Sequence, residues 1–177
     1  MKNTDNKYVQ SLIKDSKFGN KNSFKQLIDL YIGMTYLFCY RMVVNQELTE
    51  EITRDVFKTA WKNIKRIRDD VSFSNWIMGF TVFELIQQIQ KNDKNVSNSK
   101  LKNIPIPEKN FDPALSTFEK LILKLDDDER RIFLLHDIKK YSYEEIVDLF
   151  NSFSINDITN LIRSAREKLA KGLVHEL

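Results

Sequence analysis

The chain has 177 residues, 42% apolar and 30% charged, with four Gly and three Pro. That balance suits a folded protein and excludes disordered, collagen-like and low-complexity classes. Lys and Arg total 28 against 25 Asp and Glu, a net charge of +3. A non-specific nucleic-acid coat would be far more basic, since its affinity comes from neutralising many phosphates.

Apolar spacing is helical almost throughout. Tyr8, Val9, Leu12 and Ile13 form a short stripe that ends before Gly19. Phe24, Leu27, Ile28, Tyr31, Met34 and Phe38 predict a helix over about 22–44, and Asn45-Gln46 a break. Ile52, Val56, Ala60, Ile64 and Ile67 predict a helix over about 48–68, with Glu50 and Glu51 near its positive end. Arg68 to Ser72 reads as a loop, and Phe73, Ile77, Phe80 and Glu84 as one face of a helix running to about Lys91. The longest apolar run, Leu30 to Tyr40, is too short to span a bilayer. The first ten residues lack the apolar stretch of a signal peptide. A cytoplasmic protein without membrane insertion is expected.

Residues 93–112 are rich in Asn, Ser and Lys and contain Pro105 and Pro107, the composition of a flexible linker. The expected fold is all-α: two small helical domains, 1–92 and 113–177, joined by that linker. Charge divides unevenly between them, at 14 basic and 10 acidic residues in the first and 10 and 12 in the second.

Asp112-Pro113 reads as an N-cap and a first-turn proline, followed by the stripe Leu115, Phe118, Ile122 and Leu125. Asp126-x-x-Glu129 and Ser142-x-x-Glu145 both fit capping boxes. Between them Ile132, Phe133, Leu135 and Ile138 form one apolar face. Residues 142–150 predict a short helix burying Ile146, Leu149 and Phe150. Asn151-Ser152-Phe153 is a turn, with Asn151 tolerant of a left-handed backbone. Ser154 and Asp157 cap a longer helix that buries Ile155, Ile158, Ile162, Ala165 and Leu169. Short helix, tight turn and capped longer helix make a helix-turn-helix in the second domain.

Two stretches together resemble the extracytoplasmic-function group of bacterial sigma factors in the sigma-70 family. TEEITRDVFKTAWKNIKRIRDDVSFSNWIMGF, Thr49–Phe80, resembles region two of that group, with its acidic helix start, VF and AW pairs and F-x-x-W. LDDDERRIFLLHDIKKYSYEEIVDLF followed by SAREKL resembles region four. The resemblance implies binding to core RNA polymerase, promoter DNA as the second partner, and an anti-sigma factor as a candidate third. It implies capture of an unpaired −10 base by region two and reading of the −35 element by region four.

On this resemblance Glu51, Arg54, Asp55, Phe57 and Lys58 fall on the polymerase-binding helix. Arg66, Arg68, Ser72, Phe73, Ser74, Asn75 and Lys91 fall on the −10 surface. Ser154, Asn156, Asp157, Thr159, Asn160, Arg163, Arg166 and Lys171 fall on the −35 surface, with Lys168 within reach of phosphate. Asn suits adenine and Arg suits guanine in the major groove.

The chain departs from the group at Arg54, where an amide is usual, and at Val82, Phe83 and Gln87, where the group carries Arg, Asn and Asp. Those three motivate an alternative: a sigma-like interaction protein that binds polymerase or an anti-sigma factor without opening promoters. Phe57, Trp61, Phe73 and Trp76 also read as core residues, and the run from Lys58 to Arg68 as a solvated face. No Gly-rich phosphate loop, metal-ligand spacing or nucleophile motif is present, so no catalytic residue, metal or cofactor is expected.

Overall fold

A computed structural model describes residues 6–95 and 116–175, without the side chains of 92–95 and 175. The expected linker beyond residue 95, the Asp112-Pro113 helix start and Leu115 lie outside the described residues. All regular structure described is helical: α1 (Lys7–Lys17), α2 (Lys21–Val43), α3 (Gln46–Asn63), α4 (Phe73–Asn95), α5 (Thr117–Lys124), α6 (Asp127–Phe133), α7 (Tyr143–Phe150) and α8 (Ile155–His175). The chain divides into two compact units, one of residues 1–40 and 45–89, the other of 90–177 with 41–44.

In the first unit, polar side chains set the helix starts. Asn6 Oδ1 accepts from Val9 N at 2.9 Å and Asn45 Oδ1 from Leu48 N at 2.8 Å, each satisfying an amide the helix leaves unpaired. Gly19, at φ +91°, stops α1 in a left-handed turn, donating from its N–H to the Ser16 carbonyl at 2.9 Å. The helix expected over 48–68 is α3, starting two residues earlier and ending at Asn63, followed by a 3-10 turn over Ile64–Arg66. Glu50 and Glu51 therefore sit one turn inside the helix rather than at its end. The last helix of the unit runs to Asn95, past the expected Lys91.

Leu27, Cys39, Ile52, Val56, Ala60, Phe73, Ile77 and Leu85 are fully enclosed and form the core of this unit. Val9, Leu12 and Ile13 attach α1, while Tyr8 of the same stripe is 54% exposed and bonds Gln26 instead. Burial pushes the Cys39 thiol up to about 12, against an opposing hydrogen bond with Thr53. The thiolate is the reactive form. Native protein should therefore react with a disulfide reagent at least about tenfold more slowly than the urea-unfolded chain, a ratio readable by absorbance. Equal rates would place Cys39 at the surface.

In the second unit α8 packs on α5, α6 and α7. Ser142 and Glu145 form the expected reciprocal box at the start of α7, and Asn151 adopts φ 55° to end it. A box absent from the sequence reading starts α5, where Ser116 and Glu119 cap each other. The box expected at Asp126 and Glu129 does not form: Asp126 makes no side-chain cap bond, because Lys168 holds its carboxylate at 2.6 Å.

Three apolar assignments also change. Ile138 is 43% exposed because a π-helical turn over Leu134–Ile138 widens the helix and takes it out of line. Ile155 is 46% exposed, since the first turn of α8 stands clear of the elements that bury Ile158, Ile162, Ala165 and Leu169. Leu149 is half-buried, leaving Ile146 and Phe150 to anchor α7.

Candidate functional site

The outward face of α3 follows from helix geometry. Ile52, Val56 and Ala60 face the core, so at 100° per residue Glu51, Arg54, Asp55 and Lys58 gather on the opposite arc. Glu51, Arg54 and Lys58 are exposed and Asp55 half-buried, with Lys58 Nζ 2.9 Å from Asp55 Oδ1. Phe57 does not join them. It is 6% exposed and points to the interior, so as an interface residue it is corrected to a core support.

The loop between the 3-10 turn and α4 carries its charges in fixed pairs. Arg68 donates from Nε and Nη2 to the two oxygens of Asp70, at 2.9 and 2.6 Å. Lys17 reaches from α1 to Asp69 at 3.2 Å. Arg66 and Asn75 are exposed, as is Lys91 further along α4. Ser74 is half-buried with its hydroxyl 3.8 Å from Met34 Sδ.

Two loop residues expected at the −10 surface are inside. Ser72 is 8% exposed and caps α4, accepting from Asn75 N at 3.2 Å. Phe73 is 0% exposed, with its ring centroid 5.0 Å from Tyr31 and 5.6 Å from Trp76. Phe73 shares the buried face of α4 with Ile77, and the half-buried Trp76 and Phe80, in edge contact at 4.8 Å, form the outer layer. Of the three departures on α4, Val82 is 2% exposed and belongs to the core, whereas Phe83 is 55% exposed and Gln87 is also outward.

On α8 the N-terminal residues are committed to capping. Ser154 N and Oγ donate to Asp157 Oδ2 at 2.8 and 2.6 Å, and Asp157 N donates back to Ser154 Oγ at 3.2 Å. Those bonds hold the Asp157 carboxyl below its ordinary range. Thr159 Oγ1 donates to its own helix at Ile155 O, 2.8 Å. Asn156, Asn160, Arg163 and Lys171 are exposed, and Arg163 Nη2 donates to Asn160 Oδ1 at 2.9 Å.

The two other cations are held by acids far away in sequence. Arg166 grips Asp137 through Nε and Nη2 at 2.9 and 2.5 Å. Lys168 lies 2.6 Å from Asp126 and 2.8 Å from the buried Glu129, which also accepts from Ser164 Oγ at 2.7 Å. The hydrogen bond and charge of Lys168 lower the Asp126 carboxyl, so this tie persists down through the usual carboxylate range and is lost in stronger acid. Asp126, Glu129 and Asp137 escaped the sequence reading as partners of α8, because they precede their cations by 29 to 42 residues. Among the described residues no His, Cys, Asp and Glu cluster suits a metal ion, and no helix is long and apolar enough to cross a membrane.

Residues 27–95 match the family description Sigma-70 region 2, and residues 115–169 match Sigma-70, region 4. The chain is 27% identical over 184 residues to the ECF RNA polymerase sigma factor SigW of Bacillus subtilis (strain 168), covering 93% of this chain and 96% of that protein. It is 20% identical over 163 residues to the RNA polymerase sigma factor YlaC of the same organism, covering 87% and 94%. Two solved structures share the fold. The sigma factor RpoE in complex with the anti-sigma factor NepR from Bartonella quintana aligns at TM-score 0.56 and 21% identity, covering 85% of this chain and 96% of that one. CnrH in complex with the cytosolic domain of CnrY aligns at TM-score 0.53 and 16% identity, covering 96% and 99%.

Proposed function

The chain belongs to the extracytoplasmic-function group of the sigma-70 family of RNA polymerase sigma factors, and from that premise we propose how its surfaces share the work of promoter-specific initiation. The family consists of transcription initiation factors rather than enzymes. The exposed acidic and basic face of α3 (Glu51, Arg54, Asp55, Lys58) docks on core polymerase. Arg66, Arg68, Ser74 and Asn75 line the loop that holds the unpaired −10 strand, with Lys91 nearest the flanking phosphates. The outward face of α8, with Asn156, Asn160, Arg163 and Lys171, reads the −35 element. The protein acts in the cytoplasm, where polymerase supplies much of the DNA affinity that a net charge of +3 does not.

One observation carries this reading: region 2 and region 4 both match, in that order, over 27–95 and 115–169. An anti-sigma factor is proposed as a third partner, supported by the Bartonella quintana sigma factor captured with one. The test is reconstituted transcription with core polymerase on genomic DNA, mapping transcript 5′ ends with and without the protein. New starts sharing two upstream motifs are expected; polymerase binding with no new starts would overturn promoter recognition.

A second reading, polymerase or anti-sigma binding without promoter opening, draws on α4. Phe83 is 55% exposed and Gln87 is outward, and Lys91 is the single basic residue between 73 and 91. It predicts stable polymerase binding and no strand opening, which the same reconstitution separates.

The α3 assignment has its own check. Asp55→Ala combined with Lys58→Ala removes two charges from the docking face without opening the core. Affinity for core polymerase should fall about tenfold, near 1.4 kcal/mol. An unchanged affinity by labelled-polymerase titration would move the interface off this helix.

A further inference from the structure

The turn that joins α6 to α7 is irregular in two ways. Its backbone closes a π-helical turn over Leu134–Ile138, with Lys139 N donating to Leu134 O at 3.0 Å. Lys140 then takes φ 66°, a left-handed conformation that Gly or Asn ordinarily supplies. Single π-helical turns recur at functional sites, where the wider turn re-aims the side chains it carries. Asp137 is one of the side chains on this turn.

Asp137 receives two hydrogen bonds from Arg166, from Nε to Oδ2 at 2.9 Å and from Nη2 to Oδ1 at 2.5 Å. The Asp137 side chain is 19% exposed and that of Arg166 55%, so the acid is the inner partner and the cation the outer one. A guanidinium carries five N–H donors, and this pairing uses one on Nε and one on Nη2. The donors left over lie at the Nη1/Nη2 end.

Distance along α8 decides what that end can meet. Arg166 lies about three turns and 16 Å past Ile155, where the helix begins. A recognition helix contacts base edges from its N-terminal residues, and the major groove is only about 12 Å wide. With Asn156 and Asn160 at base edges, Arg166 stands beyond the groove, level with a sugar–phosphate strand.

We propose that Asp137 is a positioning residue for promoter binding, holding the open end of the Arg166 guanidinium toward a DNA phosphate before DNA arrives. The proposal rests on the reading of the −35 element by α8 and adds a residue outside that helix. Two effects of opposite sign compete. The carboxylate repels the phosphate, a penalty of less than about threefold in affinity at about 7 Å in water, and salt reduces it further. Ordering a free arginine only on binding costs about 2- to 12-fold. Pre-organisation outweighs repulsion, so an acid beside the DNA should strengthen binding.

The experiment uses the full chain bound to core polymerase, titrated with a labelled genomic duplex spanning a mapped transcript start and with a copy scrambled in its upstream motif. Asp137→Ala should weaken cognate binding about 2- to 5-fold, against the sign of the charge it removes. Asp137→Glu, equally charged and long enough to reach the guanidinium, should recover most of that loss. In an Arg166→Ala background the same Asp137→Ala change should strengthen binding slightly, since only repulsion remains to be removed. Arg166→Ala alone should lower the salt slope by about one, whereas Asp137→Ala should not lower it, because the cation is still present. Tighter or parent-like binding by Asp137→Ala would overturn the proposal and leave the acid a neutralising partner only. An equal loss with and without Arg166 would overturn it too, since Asp137 would then act through the fold. A parent holoenzyme indifferent to the upstream motif would instead overturn the −35 reading itself, and the role of Asp137 with it.

Discussion

Phe73→Ala should destabilise the first unit rather than simply weaken promoter opening. The ring is 0% exposed and packs between Tyr31 of α2 and Trp76 of α4. Removing a fully buried phenylalanine loses its transfer free energy and leaves a cavity, together about 3–5 kcal/mol. Total stabilities run only about 5–15 kcal/mol, so this single change takes a large share. Denaturant titration should show the midpoint falling with little change in slope. The melting temperature should drop by about 12 °C or more. Hydrogen exchange over α2 to α4 should accelerate with it. Phe73→Leu, which retains most of the apolar volume, should fall between the two. If instead Phe73→Ala melted like the parent and failed only on promoter DNA, the ring would be a DNA contact and its burial here would be wrong.

That contrast marks where the sequence stops being informative. Helical periodicity located every helix described, because a stripe at steps of three and four needs only its own residues to be seen. Ile158, Ile162, Ala165 and Leu169 are buried as their spacing predicts. A local cap was legible at Ser142 and Glu145, while the equally local box of Ser116 and Glu119 was passed over because Asp112-Pro113 offered a competing helix start. The failures share another cause. Asp126 and Glu129 have the spacing of a box, yet their carboxylates are claimed by Lys168 from another helix, a competitor that no local pattern contains. Ile138 and Ile155 continue an apolar stripe past the point where anything packs against it. Phe73 and Val82 lie in motif positions associated with DNA, but orientation about α4 decides which side each faces. Motif alignment gives the position along the chain and not the face.

The same long-range ties alter what the second unit offers to DNA. Four cations of α8 look equivalent in the sequence. Arg166 and Lys168 are anchored to α6 and the turn after it through three carboxylates. The Lys168–Asp126 pair, exposed on both sides, contributes about 0–1 kcal/mol, but all three ties fix where the side chains point. Arg166 has given Nε and one edge of its guanidinium to Asp137. The Nε/Nη2 edge is occupied, while the Nη1/Nη2 end keeps its donors, so Asp137 fixes the direction of a fork that is still open.

On the proposed reading of the −35 element by α8, Arg163→Ala should weaken binding to the upstream promoter element about 5- to 150-fold. Arg163 is exposed and donates from Nη2 to Asn160 Oδ1 on the same face, 2.9 Å away. Together they present a guanidinium and an amide side by side, the groups that pair with guanine and adenine in the major groove. A bidentate arginine–guanine contact is worth about 1–3 kcal/mol of discrimination, which sets the expected loss. The loss should be confined to DNA carrying the cognate upstream motif and should relax preference at one base pair. Arg163→Lys should recover little, since an ammonium keeps the charge and not the fork. Lys171→Ala provides the opposite signature: uniform weakening on every sequence and a salt slope reduced by about one. Binding to core polymerase without DNA should be untouched by Arg163→Ala. Competition titrations on cognate and scrambled duplexes distinguish these outcomes. An equal loss on both duplexes would make Arg163 a phosphate contact and move base reading elsewhere on α8.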